Sequence, residues 1–458
     1  MWRGMQRAEG TMSGGETYNR RVAQQAIGCN DGDSGQAMHA LAADLFPICR
    51  SITGDGVRQT LNRLRALIPI DVVEVPSGTA VFDWIIPKEW NIRDAYIKNA
   101  KGERIVDFQR CNLHVLNYST PIHDTLSLEV LRPHLFSSEE RPAWIPYRTS
   151  YYHENWGFCI SHQQLLELEE SSYEVCIDSS LTDGALTYGE CYLPGAETDE
   201  VLVSCHVCHP SLCNDNLSGI SVATFLAREL SSRPRRYSYR FLFVPGTIGA
   251  ITWLARNKSR TSRIKHGLVL TCVGDPGPFH YKRSRKGDAE IDHAMSHVLR
   301  HTPDGHEMLD FSPYGYDERQ YCSPGFDLSV GCLMRSVWGQ FPEYHTSADD
   351  LQLVTPEALA GSLRVCLDVV DVLENNRSYL STNPYCEPAL GRRGLYRTTG
   401  GEHIEDLNLA RLWVLNQSDG HHSLLEIAER AGMRFSTIRA VAGELQQSGL
   451  LIPATARV

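Results

Sequence analysis

Short apolar runs recur through the middle of the chain and alternate with segments of helical periodicity. Three of them, at 201–204, 239–244 and 267–271, are rich in Val, Leu and Phe and indicate buried strands. A helix is predicted between the first two, at 219–230. This alternation predicts an α/β fold with a mostly parallel or mixed sheet and helices on both faces. Because such sheets bind ligands at the carboxyl ends of their strands, function is expected in the loops that follow these strands.

The pattern changes on both sides of this region. Residues 37–68 predict two helices around a turn at 51–56, and the short, Pro- and Gly-broken runs that follow predict an inserted β-rich domain. Three helical segments and an apolar strand after residue 408 are typical of a winged helix. The predicted organisation is a disordered leader at 1–34, an α/β domain at 35–74 and 141–382, the β-rich insert at 75–140, a linker at 383–402 and a winged-helix-like domain at 403–458.

Composition narrows the class of protein. The 458 residues exceed one ordinary core, and no run of eighteen apolar residues offers a membrane span. The polar N-terminal stretch lacks the apolar core of a signal peptide, so we expect a cytoplasmic protein whose fourteen cysteines are free or metal-bound thiols. A net charge of −11 argues against a broad nucleic-acid surface. We expect neither a nucleic acid nor a membrane as partner, and a homo-oligomer stays open.

The densest group of chemically active side chains lies at 204–219, after the first buried strand. It holds two imidazoles and a carboxylate, from His206, His209 and Asp215, which are typical metal ligands. Two alternatives stay open: each His only packs or makes hydrogen bonds, or the three cysteines at 205, 208 and 213 hold zinc as thiolates. Against the second, no further Cys-x-x-Cys pair completes a four-thiolate site.

Two later segments add candidate ligands. His345 lies in the acidic segment 341–351 just before a predicted helix, although Thr346 or Ser347 would cap that helix in a purely structural interpretation. Asp275 follows the strand at 267–271, where the run Asp-Pro-Gly is also typical of a simple turn.

These segments carry a resemblance to known proteins. Residues 214–219 (NDNLSG) resemble the Asp-Asp-Asn-x-Ser-Gly segment of the co-catalytic zinc aminopeptidases, and residues 344–349 (YHTSAD) resemble their Tyr-His-Thr-x-x-Asp segment. From about Met38 to Leu451 the chain is similar to a family of aminopeptidase-like bacterial proteins of unassigned function, in which an inserted β domain splits the peptidase fold and a winged helix follows. The matching runs are 50–56, 75–79, 145–152, 186–190, 314–321 and 418–420.

The resemblance implies a zinc site with one or two ions. Its ligands would be His206 or His209, then Asp215 as the bridging carboxylate, Asp275 and His345. Two departures alter this expectation. Cys208 stands where the aminopeptidases have an Asp, and residues 246–247, Gly-Thr, stand where they have a pair of Glu that serve as general base and ligand. We therefore expect one ion, or two with a different ligand set.

Hydrolysis at such a site also needs a proton acceptor and a substrate cleft. For the general base we predict Glu318, then Glu343, then Asp317, each of which has a surface ion pair as its alternative. The predicted substrate-binding residues are Arg148, Tyr152, Tyr188, Lys282, Arg283 and Arg285, although a solvated basic loop also explains the run at 282–285.

The leading hypothesis is a metal-dependent, zinc-type hydrolase that cleaves an N-terminal aminoacyl bond or the amide of a small metabolite. One alternative is a catalytically degenerate scaffold, favoured by the missing Glu pair. Another is a ligand-sensing regulator acting through the winged helix. Its predicted recognition helix, 435–447, holds only Arg439 as a cation, with Arg434 just before it, which is little for binding phosphates.

Overall fold

The computed structural model describes residues 31–395 and 403–454. The chain divides into two compact units, one at 35–375 and one that contains residues 376–458 together with 1–34. Of the predicted leader, residues 1–30 lie outside the described residues, and the helix Asp31–Leu45 begins within its last four positions. The predicted linker is described only as far as 395 and contains the short 3-10 helix Leu390–Arg393.

The unit at 35–375 is built on an eight-stranded mixed sheet with the order β1-β10-β12-β11-β13-β16-β14-β15. The four central strands, β12, β11, β13 and β16, run parallel. β10 pairs antiparallel with both β1 and β12, and β14 pairs antiparallel with β16 but parallel with β15. The strands are β1 (Asp71–Pro76), β10 (Ala185–Leu193), β11 (Glu200–His206), β12 (Ser238–Val244), β13 (Ile264–Leu270), β14 (Phe279–Lys282), β15 (His306–Leu309) and β16 (Val330–Met334).

Strands β11 and β12 are mostly apolar because both of their faces are covered. All seven residues of β11 and all seven of β12 are buried. Arg240 in β12 donates from Nε and Nη2 to both carboxylate oxygens of Glu200 in β11, at 2.6 and 2.8 Å, and from Nη1 to Glu190 in β10. A buried guanidinium is tolerated here because its hydrogen bonds are made by two carboxylates.

Helices connect and cover these strands. The helix predicted at 219–230 is confirmed as Gly219–Ser231, between β11 and β12. The two helices predicted within 37–68 are also present, as Asp31–Leu45 and Asp55–Leu64. The other α-helices of this unit are Leu128–Leu131, His162–Leu166, Ile248–Asn257, Glu290–Arg300, Glu318–Tyr321 and Pro356–Asn375.

The β-rich insert forms a separate four-stranded antiparallel sheet with the order β5-β4-β9-β6. It takes its longest strand, β9, from 172–182, beyond the predicted limit of 140, because β4 and β6 both find their pairing partner there. The limits of the insert as a domain stay a prediction. The strands of this part are β2 (Ala80–Val81), β3 (Trp84–Ile85), β4 (Glu89–Lys98), β5 (Arg104–Asp107), β6 (Ile122–Ser127), β7 (Leu135–Phe136), β8 (Phe158–Cys159) and β9 (Ser172–Thr182).

Two glycines explain the sequence of the turn at 50–56. Gly54 has φ +96, and a Cβ there would lie 2.0 Å from the carbonyl oxygen of Trp90 in β4. A Cβ on Gly56 would lie 1.9 Å from the carbonyl oxygen of Cys49. The turn is therefore restricted to glycine by close backbone contacts, one of which is made with the inserted sheet.

The second unit carries the winged helix. Its three-stranded sheet has the order β18-β17-β19, and its helices are His403–Gln417, Leu424–Ala431 and Phe435–Gln447. The strands are β17 (Ser378–Ser381), β18 (Asp419–Ser423) and β19 (Leu451–Pro453). The predicted boundary at 382 places β17 in the α/β domain. In the structure, β17 pairs with β18 and β19 of the second unit. The run Ser-Tyr-Leu-Ser has no pattern of its own that shows which distant strands it joins.

The predicted architecture is confirmed: an α/β fold with a large mixed sheet, small additional sheets and a C-terminal unit of three helices and three short strands. Among the described residues, no helix is both long and apolar enough to cross a bilayer.

Glu89 joins three parts of the larger unit. Its carboxylate accepts two hydrogen bonds from Arg58 of the helix Asp55–Leu64, at 2.8 and 2.7 Å, and one from the backbone N–H of Ala185 in β10, at 2.9 Å. The bonds from Arg58 lower the pKa of Glu89 to about 2, against the desolvation that would raise it. The ionised form is therefore favoured by folding.

We expect Glu89→Gln to lower the free energy of unfolding of this unit by about 1–2 kcal/mol at pH 7. Because the folded pKa lies below the unfolded value of 4.5, this stabilisation is present above pH 4.5 and is lost as the pH falls towards 2. Urea unfolding at pH 7, 5 and 3.5 measures it. The control is Asp178→Asn, which breaks the exposed pair with Arg93 and should cost under about 0.5 kcal/mol. If both variants lose the same free energy of unfolding, the hydrogen bonds of Glu89 make no special contribution to stability.

Candidate metal centre

The candidate site lies where the parallel strands of the large sheet end. His206 is the last residue of β11, and Gly246 follows the end of β12 by two positions. After His206 the chain forms a loop and a π-helical turn, Cys213–Ser218, before the helix Gly219–Ser231 begins. Asp215 lies in this turn with non-helical backbone angles, φ −112 and ψ 81. The turn thereby returns the carboxylate of Asp215 to the end of β11.

Three imidazoles surround the carboxylate of Asp215. Its Oδ1 lies 2.8 Å from Nε2 of His206, and its Oδ2 lies 3.0 Å from Nε2 of His345. Nε2 of His209 is 3.8 Å from Oδ2. Four of the five predicted metal ligands therefore meet, although His345 is 130 residues from Asp215 in the chain.

Burial and charge act in opposite directions on this cluster. Burial alone would raise the pKa of Asp215, but the imidazoles of His209 and His206 hold it well below its usual range. Burial lowers the pKa of His209 well below its usual range, although the Asp215 carboxylate opposes this. An ionised carboxylate beside a neutral imidazole is the protonation state that metal ligands require.

The donor set fits a divalent ion of the zinc type. Zinc binds imidazole nitrogen and carboxylate oxygen, and the donor atoms of His206, His209 and Asp215 all lie within 4.8 Å of one another. The side chains of His206 and Asp215 have no exposed surface, whereas that of His345 is 33 % exposed. The cluster is thus closed at the sheet and open beside His345, where a substrate can approach.

A second carboxylate, which the sequence reasoning did not select, holds the Asp215 turn in place. Asp349 is fully buried and accepts hydrogen bonds from the backbone N–H groups of Asn214, at 2.5 Å, and Asp215, at 3.0 Å. Burial raises the pKa of Asp349 to about 8, although these N–H groups oppose the shift. The signal was present in the sequence, since Asp349 is the final residue of the Tyr-His-Thr-x-x-Asp segment. Its contacts are with the backbone of the turn that carries Asp215.

Aromatic rings fix the orientation of the imidazoles. Tyr316 stacks on His206 with centroids 4.6 Å apart and an angle of 11°, and Tyr344 stacks on His345 at 3.9 Å and 12°. The two tyrosine hydroxyls lie 3.1 Å apart. The Tyr147 ring is 5.1 Å from the His345 ring. Stacking and the hydroxyl contact together restrict rotation of the imidazoles on both sides of the carboxylate.

Arg50 supports the same cluster from the protein interior. It is buried and donates from Nε to the carbonyl oxygen of His209 at 2.9 Å, and from Nη1 to that of Leu45 at 2.7 Å. Burial lowers the pKa of Arg50 to about 10. In the sequence, Arg50 is only the first residue of the matching run 50–56. Nothing in that run indicates that its side chain contacts the His209 loop.

The carboxylate of the fifth predicted ligand, Asp275, accepts three hydrogen bonds. Its Oδ2 accepts a hydrogen bond from Nδ2 of Asn214 at 2.8 Å, and its Oδ1 accepts from the N–H of Gly277 and the hydroxyl of Ser336, both at 2.8 Å. In these bonds it braces the Asp215 turn. Cys272 lies between the end of β13 and Asp275. Burial raises the pKa of its thiol well above the usual range, and Asp215 adds to the shift.

Among the described residues, the donor atoms that group within 4.8 Å of one another come from His206, His209 and Asp215 and include no thiol. Sγ of Cys208 lies 3.4 Å from Nδ1 of His209 and 3.8 Å from the carbonyl oxygen of Gly246. Burial raises the pKa of Cys208 to about 12 and those of Cys205 and Cys213 well above their usual range. Zinc would have to overcome this preference for the neutral thiol.

The three carboxylates predicted as general base occupy different environments. Glu318 is fully buried and accepts a hydrogen bond from Nζ of Lys282 at 2.7 Å. Asp317 is equally buried, and neither of its oxygens has a hydrogen-bond partner among the described residues. Burial raises the pKa of Asp317 well above its usual range, and Glu318 adds to the shift. Glu343 is partly exposed.

Asp317 lies against the position of the missing Glu pair. A Cβ on Gly246 would be 3.6 Å from Oδ1 of Asp317 and 3.1 Å from Cβ of His206. The carboxylate of Asp317 and the side chain of His206 therefore approach each other across a residue that has no side chain.

The six predicted substrate-binding residues do not form one group. Tyr188 is buried in β10, and Lys282 is paired with Glu318. Arg283 donates to the carbonyl oxygen of Gly287 at 3.2 Å, and Arg285 pairs with Asp327 at 2.7 Å. Arg148 is exposed on the segment that also carries the half-exposed Tyr152.

Comparison with known proteins identifies the family of the chain. Residues 39–376 match the family described as "Domain of unknown function (DUF4910)". The chain belongs to the DUF4910 family. Residues 377–453 match a winged helix-turn-helix family. A Clostridium acetobutylicum relative of this DUF4910 chain is named "Putative polysaccharide biosynthesis protein with aminopeptidase-like domain"; the two are 52 % identical over 423 residues, which is 92 % of this chain and 97 % of the relative.

Solved structures give the same fold. The crystal structure of a "putative peptidase" from Clostridium acetobutylicum is similar, with TM-score 0.89 and 49 % identity over 96 % of this chain and 100 % of that one. A zinc aminopeptidase from Bacillus subtilis has TM-score 0.53 and 13 % identity over 74 % of this chain and 94 % of its own. A peptidase M28 precursor from Shewanella amazonensis has TM-score 0.52 and 14 % identity over 79 % and 97 %. The last two likenesses show the aminopeptidase-like fold.

We expect Asp349→Ala to lower the free energy of unfolding of the larger unit by about 2–4 kcal/mol, because the buried N–H groups of Asn214 and Asp215 lose their acceptor. Thermal and urea unfolding followed by tryptophan fluorescence measure the change. The matched control is Asp350→Asn at the neighbouring, partly exposed position, which should change stability by under about 1 kcal/mol. If Asp349→Ala lowers the free energy of unfolding no more than the control does, Asp349 does not stabilise the Asp215 turn.

Proposed function

We propose that the protein is a metal-dependent hydrolase of the aminopeptidase type. The observation that carries this proposal is the buried Asp215 carboxylate with an imidazole Nε2 at each of its oxygens, from His206 at 2.8 Å and His345 at 3.0 Å. The aminopeptidase-like fold of the chain supports the same class of reaction.

Zinc is the proposed metal, as one or two ions. His206, His209, Asp215 and His345 would hold it, and the two oxygens of Asp215 face different imidazoles. A bound zinc ion would polarise the scissile carbonyl and acidify a water molecule. Asp275 is the ligand of the predicted set with the least support, since its oxygens already accept hydrogen bonds from Asn214, Gly277 and Ser336.

For the proton acceptor, the contacts favour Asp317 over Glu318, which reverses their order in the sequence prediction. Lys282 holds Glu318 in an ion pair that is buried on both sides, so a proton taken up there would break the pair. Asp317 lies beside Gly246 and has no competing hydrogen bond from the described residues. Asp317 would accept a proton at Oδ1 on the side of His206, and Glu343 remains the candidate on the open side.

The proposed substrate is an aminoacyl or small-metabolite amide. The open side of the cluster beside His345 supports access by a small molecule or a peptide terminus. The name of the Clostridium relative, with its reference to polysaccharide biosynthesis, favours a metabolite over a peptide. We also propose a cytoplasmic location, because the described cysteines are all free thiols.

A second candidate is a scaffold without catalytic activity. It is favoured by Gly246 and Thr247, which bring no carboxylate to the position of the Glu pair. In that case the winged helix would serve protein contacts or dimerisation. Metal content separates the two candidates.

We expect tag-free protein supplied with zinc to retain about one or two equivalents after dialysis, as measured by elemental mass spectrometry. Asp215→Ala and His345→Ala should each retain less than about one tenth of the wild-type metal, because each removes a donor from the cluster. His153→Ala, at an exposed histidine, is the matched control and should bind metal like wild type. If the wild-type protein stays metal-free, the hydrolase proposal is wrong and the scaffold without catalytic activity remains the candidate.

For the base, we expect Asp317→Asn to lower kcat on an aminoacyl amide by about 10²–10⁴-fold while metal content stays at the wild-type level. Glu343→Gln should change kcat by less than about 3-fold. Glu318→Gln removes the partner of buried Lys282, so its expected effect is lower stability. If Asp317→Asn keeps wild-type turnover and Glu343→Gln loses it, the base is Glu343.

A further inference from the structure

The three imidazoles around Asp215 are held in different ways. His206 and His345 each stack on a tyrosine ring, at angles of 11° and 12°. The ring contacts of His209 with Tyr147, His206 and His345 are tilted or edge-on, at 53°, 65° and 40°. Its Nε2 is also the farthest of the three from the carboxylate, at 3.8 Å compared with 2.8 and 3.0 Å. The position of His209 therefore depends mainly on the loop that carries it.

That loop is bonded to residues 112–117 of the β-rich insert, which lie between β5 and β6 and which we call the insert segment. At its start, Asn112 donates from Nδ2 to the hydroxyl of Ser211, two residues after His209, at 2.9 Å. The Ser211 hydroxyl in turn donates to the carbonyl oxygen of Phe46 at 2.9 Å. One hydrogen bond thus joins the insert segment directly to the His209 loop.

At the other end of the insert segment, Asn117 makes an indirect connection. Asn117 is 2 % exposed, donates from Nδ2 to the carbonyl oxygen of Arg50 at 3.0 Å and accepts at Oδ1 from the hydroxyl of Ser51 at 2.5 Å. Arg50 donates from Nε to the carbonyl oxygen of His209 at 2.9 Å. Because both the donor and the acceptor of the Asn117 amide are used, its orientation is determined, and through Arg50 it reaches the backbone of His209.

Apolar packing adds a third contact between the same parts. Leu113 of the insert segment packs with Tyr147 and Leu212, and all three side chains are buried. Leu212 follows in the loop after His209, and the Tyr147 ring lies 5.1 Å from the His209 ring. The insert segment therefore contacts the surroundings of His209 through hydrogen bonds at both of its ends and through apolar packing between them.

We propose that the insert segment positions His209 as the third imidazole donor of the metal centre, with Asn117 as the positioning residue. The β-rich insert then determines whether the cluster offers two or three imidazoles to a metal ion. Partners that orient a metal ligand contribute strongly to metal affinity, because a displaced ligand no longer binds. The donor role of His209 rests on the proposed metal-dependent function, whereas its positioning by Asn117 does not.

The first test is hydrogen–deuterium exchange of the metal-free protein, followed by mass spectrometry. Asn117→Ala should raise the exchange rate of backbone amides at 207–213 at least about 10-fold, because the loop opens locally without the support of Arg50. The matched control is Asn99→Ala, since the side chain of Asn99 bonds only to Lys101 and Glu103 of its own hairpin among the described residues. It should leave the exchange at 207–213 unchanged.

Equal exchange at 207–213 in wild type and Asn117→Ala would overturn the proposal. If Asn117→Ala instead raises exchange throughout residues 35–375, it has unfolded the larger unit. Asn112→Ala, at a partly exposed position, then takes its place with the same expected result at 207–213.

The second test is a double-mutant cycle on zinc affinity, measured by competition with a chromophoric chelator. Asn117→Ala should lower the affinity about 10–100-fold, and His209→Ala should lower it at least about 10-fold. In the His209→Ala background, Asn117→Ala should lower it further by less than about 3-fold, because the side chain that it positions is gone. Asn99→Ala should bind zinc like wild type.

The cycle separates the possible failures. If Asn117→Ala lowers zinc affinity equally with and without His209, or if His209→Ala binds zinc like wild type, the proposal is wrong. If the wild-type protein binds no zinc, the proposed metal-dependent function and the donor role of His209 fail together. The exchange experiment alone then decides whether Asn117 positions His209.

Discussion

The burial of one charged carboxylate determines most of the site. Asp215 has no exposed surface, and an isolated anion in that position would be strongly unfavourable. Imidazoles at both of its oxygens and the turn bonded to Asp349 make the position tolerable. The supporting contacts extend outwards from there, since Tyr316 and Tyr344 hold the imidazoles and Asp275 and Arg50 hold the loops. Loss of either imidazole would leave the negative charge of Asp215 less compensated.

The same constraint explains why the departures from the zinc aminopeptidases matter chemically. By the resemblance to those enzymes, Cys208 and Gly246 stand at positions of carboxylates, which implies less negative charge around the cluster. Asp317 reaches the vicinity of Gly246 from a loop that follows β15, far from the strand that carries the Glu pair in the aminopeptidases. A carboxylate near the site is thus supplied by a different element of the same fold.

The insert contributes to the site as well as to the fold. Gly54 contacts the inserted sheet at Trp90, and Arg58 contacts it at Glu89. The hairpin with Phe82 and Trp84 lies between β1 and the first long strand of the insert. The contacts at Trp90 and Glu89 fix the inserted sheet against the turn at 50–56 and the helix Asp55–Leu64.

The local pattern by itself determined the central strands, the helix Gly219–Ser231, the winged helix and four metal-ligand candidates. These features can be recognised in the sequence because continuous apolar runs predict buried strands and because His206, His209 and Asp215 lie within ten residues of one another. Only the tertiary structure decided which carboxylates are available. The structure shows that Asp275 accepts three hydrogen bonds and that Glu318 is paired with Lys282, neither of which the local sequence indicates. The pairing of β4 and β6 with β9 and the approach of Tyr152 to Trp84 were equally invisible, because both depend on contacts between residues far apart in the chain.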